Sequence, residues 1–220
     1  MCDKACARIL GPVDHEIVTC LRIGEHRNTN ELRLATELNL ASSEYWRWSE
    51  SDESKNSVVL GVLESSSVLL STMRGCYFPD ASSLAENMSW FTRESLPNVL
   101  DDGQIVILGR AATRSDNSGK NLHSYLRYLF IKFCKQQSVR YVVGEIVSNA
   151  QRVGQLRSLG YELYPGIANE NGPLGRSQDL YFVVLDLESR YEQAIAVLSS
   201  RVMDAKNEFP WSGPEPIFHS

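Results

Sequence analysis

Residues 104–149 read QIVILGRAATRSDNSGKNLHSYLRYLFIKFCKQQSVRYVVGEIVSN. Three elements follow one another there. Residues 104–113 form an apolar, β-branched run that predicts a buried strand. Residues 115–120 are a polar turn with one glycine. Leu122, Tyr125, Leu126, Leu129, Phe130 and Phe133 then recur at helical spacing, which predicts an amphipathic helix over 120–137. Residues 140–147 are a second short apolar strand. Strand, turn, helix and strand make a βαβ unit, whose strands should be parallel and whose crossover should be right-handed. The start of such a helix offers free backbone N–H groups and the positive end of a dipole, a natural place for a phosphate.

Outward from this unit, residues 16–23 (EIVTCLRI) alternate enough to predict a first strand. Asn28 with Glu31 three residues later predicts a helix start, and Leu34, Ala35, Leu38 and Ala41 give it a weak apolar stripe. Tyr45, Trp46 and Trp48 lead into a polar loop, SESDESKN. Residues 58–63 and 68–78 predict two strands joined as a hairpin through Glu64-Ser65-Ser66-Ser67. A short helix over 82–91 and a turn-rich loop over 96–103 follow. Beyond the central unit, residues 149–159 predict a short helix stopped by Gly160. A strand starts at 161–164, a glycine-rich loop covers 166–178, and 180–187 (LYFVVLDL) reads as a strand. Tyr191, Ala194, Ile195, Leu198, Val202 and Ala205 mark a last helix. The Pro- and aromatic-rich end, FPWSGPEPIFHS, predicts an irregular tail, which its Phe209, Trp211 and Phe218 place against its own domain or a partner. The organisation is one mixed α/β domain over 1–208 and a tail over 209–220.

A hydrophobic share of 43% is enough to bury a sizeable core. A net charge of −5 argues against a general nucleic-acid binder, which usually carries a basic surplus. No apolar run is long enough to span a bilayer, and MCDKACARILGP lacks the apolar core of a secretory signal, so a cytoplasmic protein is expected. The five cysteines are irregularly spaced without a C-x-x-C pair, and the four histidines show no ligand spacing. Reduced thiols and no metal are expected.

The order of elements, together with N149-A-Q-R-V-G-Q-L-R-S-L-G-Y-E162, resembles the GNAT-type N-acyltransferase superfamily, in which an Asn opens a short helix closing on Leu-Gly-aromatic. The resemblance covers roughly residues 17–187. It implies a single GNAT-like α/β domain: a mixed, mostly antiparallel sheet with a central βαβ crossover and flanking helices. The family's pyrophosphate loop usually reads Arg/Gln-x-x-Gly-x-Gly/Ala. Ser118, Asn121 and His123 stand at those positions here, and only Gly119 remains of the glycine-rich stretch. A Tyr that often serves the family as general acid falls on Leu156.

Within the superfamily, V59-L-G-V-L-E-S-S-S-V-L-L-S-T-M-R74 followed by I107-L-G-R110-A-A is similar to the acyl-homoserine-lactone synthases and the long-chain N-acyl amino acid synthases. Arg74 and Arg110 match arginines of those enzymes, whereas Ile107 stands where the autoinducer synthases carry a Glu. The resemblance therefore implies the broader N-acyl synthase reading. Such enzymes take acyl groups from acyl carrier protein or acyl-CoA. A carrier-borne pantetheine has one phosphodiester, for which a poorer pyrophosphate loop matters less.

Acyl transfer to an amine needs a base, donors for the tetrahedral oxyanion and a proton for the thiolate. Glu145, in the apolar strand YVVGEIV, is the candidate base, since burial raises a carboxylate's pKa; the alternative is an ion pair with Arg110 or Arg74. Backbone N–H groups near the end of the 104–113 strand are candidate oxyanion donors. Ala111, Ala112 and Thr113 would admit a pantetheine arm, or simply let the helix pack on the sheet. Arg114, Ser118, Gly119, Lys120 and Asn121 line the turn as a phosphate site, or form an ordinary polar helix start. Arg74 and Arg110 would hold a substrate carboxylate bidentately, or pair with Glu145 or Asp101. Trp46 and Trp48 would cover an acyl chain, or pack a helix on the sheet; Asn149 joins them as a substrate contact by the resemblance. Cys76 and Cys134 read as small core residues. The expected reaction is direct N-acylation of a small-molecule amine such as an amino acid, with an acyl group longer than acetyl. An acetyl-CoA-dependent N-acetyltransferase and a non-catalytic binding module of the same fold are the alternatives.

Overall fold

The computed structural model describes residues 4–27, 47–87, 96–147, 152–165 and 180–218. Seven strands form one sheet in the order β1-β2-β3-β4-β5-β7-β6. They are β1 (Cys6–Leu10), β2 (Ser57–Ser65), β3 (Val68–Phe78), β4 (Ile105–Thr113), β5 (Tyr141–Val147), β6 (Glu162–Pro165) and β7 (Leu180–Asp186). Every neighbouring pair is antiparallel except β4 and β5, which run parallel from Ile105↔Tyr141 to Leu108↔Gly144. The helices are α1 (His15–Arg27), α2 (Glu50–Glu53), α3 (Ala81–Asn87), α4 (Leu122–Gln136), α5 (Arg152–Ser158), α6 (Tyr191–Arg201) and α7 (Met203–Glu208). The β4–α4–β5 crossover is the βαβ unit read from residues 104–149.

The central strands read as continuous apolar runs because both faces of the sheet are covered. Val106 and Leu108 of β4, Val142 of β5, and Val183 and Leu185 of β7 meet Leu126, Phe130 and Phe133 of α4 and the apolar side of α6. Their neighbours Ile105, Ile107, Tyr141, Val143, Phe182 and Val184 point the other way, into a second core with Phe78, Leu84 of α3 and Leu100. Helix α1 covers that same side of the sheet further along, packing Val18 and Leu21 on Leu10, Val59, Leu63 and Leu69. Helix α4 lies close to the sheet because β3 offers Gly75, where a Cβ would come within 2.5 Å of the Phe130 ring.

Residues 16–23, expected as a strand, are helix α1, and the first strand is Cys6–Leu10 instead. The reason lies in the preceding turn. Pro12–Asp14 form a 3-10 turn whose Asp14 carboxylate accepts from the Gly11 N–H (3.0 Å) and from Arg8 (2.7 and 2.9 Å). A proline-led, acid-capped turn launches a helix. The last helix is two, α6 and α7, meeting at Val202. The loop over 96–103 contains a 3-10 turn, Asn98–Asp102. The helix over 82–91 is Ala81–Asn87, with 88–91 outside the described residues. The short helix before Gly160 runs Arg152–Ser158, and Gly160 ends it with a φ of +91°, a left-handed conformation that suits glycine.

The tail is irregular but not loose. Ala7 of β1 donates to the Pro210 carbonyl (3.0 Å) and accepts from the Ser212 N–H (2.8 Å), so the tail runs parallel beside the sheet edge. The buried Tyr125 hydroxyl donates to the Phe209 carbonyl (2.9 Å), and Gln137 holds Pro216 and Phe218. The expected helix after Asn28 and the loop over 166–178 lie outside the described residues. Among the described residues, no helix is long and apolar enough to cross a membrane.

Candidate active site

Strands β4 and β5 stay paired only as far as Leu108 and Gly144. Beyond that point β4 turns toward β3 alone. Its register there passes from Arg74↔Gly109 to Thr72↔Ala112, so Arg110 and Ala111 together oppose the single Met73. This is a β-bulge, and Arg110 takes a left-handed φ of 48° within it. A bulge re-aims a side chain and releases backbone groups from the ladder. Here it sits where two parallel strands part.

A cleft of about 630 Å³ opens on that point. Ala111, Ala112 and Thr113 of β4 form its floor, and Ser118, Asn121, Leu122, His123 and Ser124 bring in the turn and the first residues of α4. Glu25 of α1, Gln155 of α5 and Arg201 of α6 complete the lining. Asn121 enters α4 in a left-handed conformation (φ 55°). Arg127, one turn further along α4, donates to His123 Nε2 (3.3 Å) and to the Tyr161 hydroxyl (3.0 Å).

Arg114, Gly119 and Lys120, expected beside Ser118 and Asn121, do not line the cleft. Arg114 is paired with Asp116 (2.7 Å), and Lys120 reaches away to Glu208 of α7 (2.7 Å). Each cation lies next to a carboxylate on the outer side of the turn, which the sequence distance between Lys120 and Glu208 hides.

Next to the cleft lies a buried charge cluster. Asp52 of α2 takes Arg110 Nη1 on Oδ2 (2.6 Å) and Arg22 Nη1 on Oδ1 (3.1 Å), with Arg74 Nη1 at 3.8 Å. The carboxylate and the Arg22 side chain are fully buried, and those of Arg74 and Arg110 are each 9% exposed. Asp52 is fixed by the S-x-x-D turn that starts α2, where it also accepts the Ser49 N–H (3.1 Å). Arg74 donates further to the Ser51 hydroxyl (2.8 Å), and Arg110 to the Ser49 hydroxyl (3.1 Å) and the Arg47 carbonyl (3.3 Å). Burial lowers the Arg22 pKa to about 10, the Arg110 and Arg74 charges lower it as well, and Asp52 opposes them. Arg22 Nε and Nη2 have no hydrogen-bond partner among the described residues. Among the described residues, three guanidiniums thus converge on the Asp52 carboxylate. The cluster and the cleft are joined twice: Arg22 and Glu25 share a face of α1, and Arg110 and Ala111 are the two residues of the bulge.

Arg74 and Arg110 therefore share Asp52, which lies in the polar loop SESDESKN of the sequence; the Glu145 side chain lies outside the described residues. Arg22 was missed with the helix that carries it. Glu145 follows Gly144 at the point where β5 leaves β4, and its backbone pairs with Phe182 of β7. Trp48 packs with the α1 core, its N–H bonded to Thr19 Oγ1 (3.0 Å) and its indole to Glu53 (2.8 Å). Trp46 and Asn149 lie outside the described residues. Leu156 is buried in the α4-side core and has no proton to give. Cys134 is fully buried, which raises its thiol pKa, and Cys76 is half-buried. Among the described residues, no group of three or more His, Cys, Asp or Glu is placed to hold a metal ion.

No family model matches the chain, and no curated protein matches it in sequence. Solved structures do. FeeM, an N-acyl amino acid synthase from uncultured soil microbes, superposes with a TM-score of 0.58 at 13% identity, over 89% of this chain and 97% of that one. BjaI, a CoA-dependent acyl-homoserine lactone synthase solved with SAM and isopentyl-CoA, gives 0.55 at 15% identity, over 96% and 95%. Arabidopsis thaliana NAA60 in complex with acetyl-CoA gives 0.54 at 12% identity, over 84% and 100%. The fold is that of the GNAT N-acyltransferases.

Proposed function

We propose that this GNAT-fold chain is an N-acyltransferase that moves an acyl group longer than acetyl from acyl carrier protein or acyl-CoA to the amine of a small, carboxylate-bearing molecule such as an amino acid. One observation carries the reading. The bulge at Arg110–Ala111 stands between a cleft floored by small residues and a buried cluster of three arginines around one aspartate. A thioester arm suits the first, and the guanidiniums of the second suit the carboxylate of an acceptor.

In this reading the acceptor's amine attacks the thioester carbonyl directly. The new C–N bond forms, and the amine proton passes to the Glu145 carboxylate. The N–H groups of the bulge, where two residues face one on β3, hold the oxyanion. Collapse breaks the C–S bond, and the departing thiolate takes its proton from solvent at the cleft mouth. No step requires a covalent acyl-enzyme: Cys134 is sealed in the core, and its thiolate is disfavoured by burial.

Mass spectrometry of products formed from long-chain acyl-CoA, long-chain acyl carrier protein and acetyl-CoA, each with a set of amino acids, tests the proposal. N-acyl amino acids from a long-chain donor are expected, and Glu145→Gln should lower kcat at least about 100-fold. Products from acetyl-CoA alone would select the acetyltransferase alternative. Products from no donor would remove the enzymatic reading and leave the fold as a binding module.

A further inference from the structure

The Lys120–Glu208 pair bears on the donor itself. Lys120 lies between Ser118 and Asn121, both of which line the cleft, yet its ammonium sits 2.7 Å from Glu208 and 5.4 Å from the centre of the Phe209 ring. Glu208 is well placed to hold it. The next residue, Phe209, is fully buried, and its carbonyl is pinned by Tyr125. Arg114, the other cation of the turn, is spent on Asp116. The described cleft lining is left with one arginine, Arg201, and one acid, Glu25.

We infer that Glu208 is a positioning residue for donor choice: by holding Lys120 outside the cleft it biases the site toward donors with a single phosphodiester and against the pyrophosphate of a nucleotide donor. The inference rests on the acyltransferase reading of the cleft. The start of α4, a helix of 15 residues, attracts a phosphate through its free N–H groups and dipole. One phosphate is served by that alone. A pyrophosphate adds charge that needs a nearby cation, and Lys120, the nearest in sequence, is neutralised from the C-terminal helix. The pair is half exposed, so its grip is modest and a single substitution should release it.

Titration calorimetry with pantetheine, 4′-phosphopantetheine and CoA, which carry successively more phosphate on one arm, tests this without any acceptor. Glu208→Gln should tighten CoA about 3- to 5-fold relative to 4′-phosphopantetheine, and the gain should fade at high salt. Adding Lys120→Met should abolish it, which a merely structural effect of the Glu208 change would not do. Glu208→Ala should repeat the result. An unmoved CoA-to-4′-phosphopantetheine ratio in both Glu208 variants would overturn the inference, as would a native protein that binds CoA more than about tenfold tighter than 4′-phosphopantetheine or binds none of the three. The two readings fail separately. Product formation with an unmoved ratio sinks the role of Glu208 and keeps the transferase, whereas the shifted ratio without products from any amine does the reverse.

Discussion

Asp52 stands at the centre of a buried charge cluster. Its fully buried carboxylate is the acceptor around which Arg22, Arg74 and Arg110 gather. Removing one partner of a buried ionic group leaves the others uncompensated, at a cost of about 3–5 kcal/mol. Asp52→Asn should therefore lower the stability read by urea unfolding by about that amount, with an unchanged m-value. A loss below about 1 kcal/mol would mean that the cluster is already balanced by other groups. Half of this site was legible in the sequence. Arg74 and Arg110 stood out by resemblance, being held at strand positions that pairing fixes. Asp52 was not recognised, although Ser49-Glu-Ser-Asp52 carries the S-x-x-D signature of a helix start. Arg22 was lost because Val18, Leu21 and Arg22, buried on one face of α1, follow an i, i+3, i+4 pattern that an alternating strand template splits apart.

At the scale of elements, the βαβ unit was legible nearly to the residue. Its strands are buried on both faces, and its helix carries an uninterrupted apolar stripe, so periodicity and tertiary packing agree. The bulge was not legible, because it arises from how β3 and β4 slide past each other and no local signal marks it. The aromatics Phe209, Trp211 and Phe218 made the tail's docking legible, but not where it docks, since its bonds are to backbone groups of β1 and to α4. Tyr125 makes the tail testable. Its hydroxyl is buried against the Phe209 carbonyl, and burial, with smaller contributions from Tyr128 and Cys6, pushes its pKa up to about 12. The unfolded chain ionises this group near pH 10 and the folded chain does not. The contribution is thus complete below pH 10 and is lost as the pH rises from about 10 toward 12. Tyr125→Phe should cost about 1 kcal/mol at neutral pH and should flatten the alkaline fall in stability relative to the native chain. Tyr161 and Tyr164 shift in the same direction, so the difference between the two proteins is the quantity to read. Parallel alkaline curves would show that Tyr125 ionises as freely in the fold as outside it.

Across the whole molecule, the sheet order places the cleft and the arginine cluster side by side. Strands β3 and β4 carry the arginine cluster with α1 and α2, and the end of β4, past its pairing with β5, floors the cleft. A sequence reading reached this architecture through the one crossover it could recognise, despite placing a strand where α1 lies. In the proposed reaction the cluster recognises the carboxylate of an amine that the cleft's donor acylates. The most direct measurement is kcat/KM, followed by thiol release from a long-chain acyl donor, for a set of α-amino acids and the amines left by their decarboxylation. The account predicts that each amino acid outpaces its decarboxylated partner by about 10- to 100-fold, the worth of a hydrogen-bonded charge pair. It also predicts that Arg74→Met erases most of that difference through the KM of the amino acid. Equal rates for the two members of every pair in the native protein would contradict it.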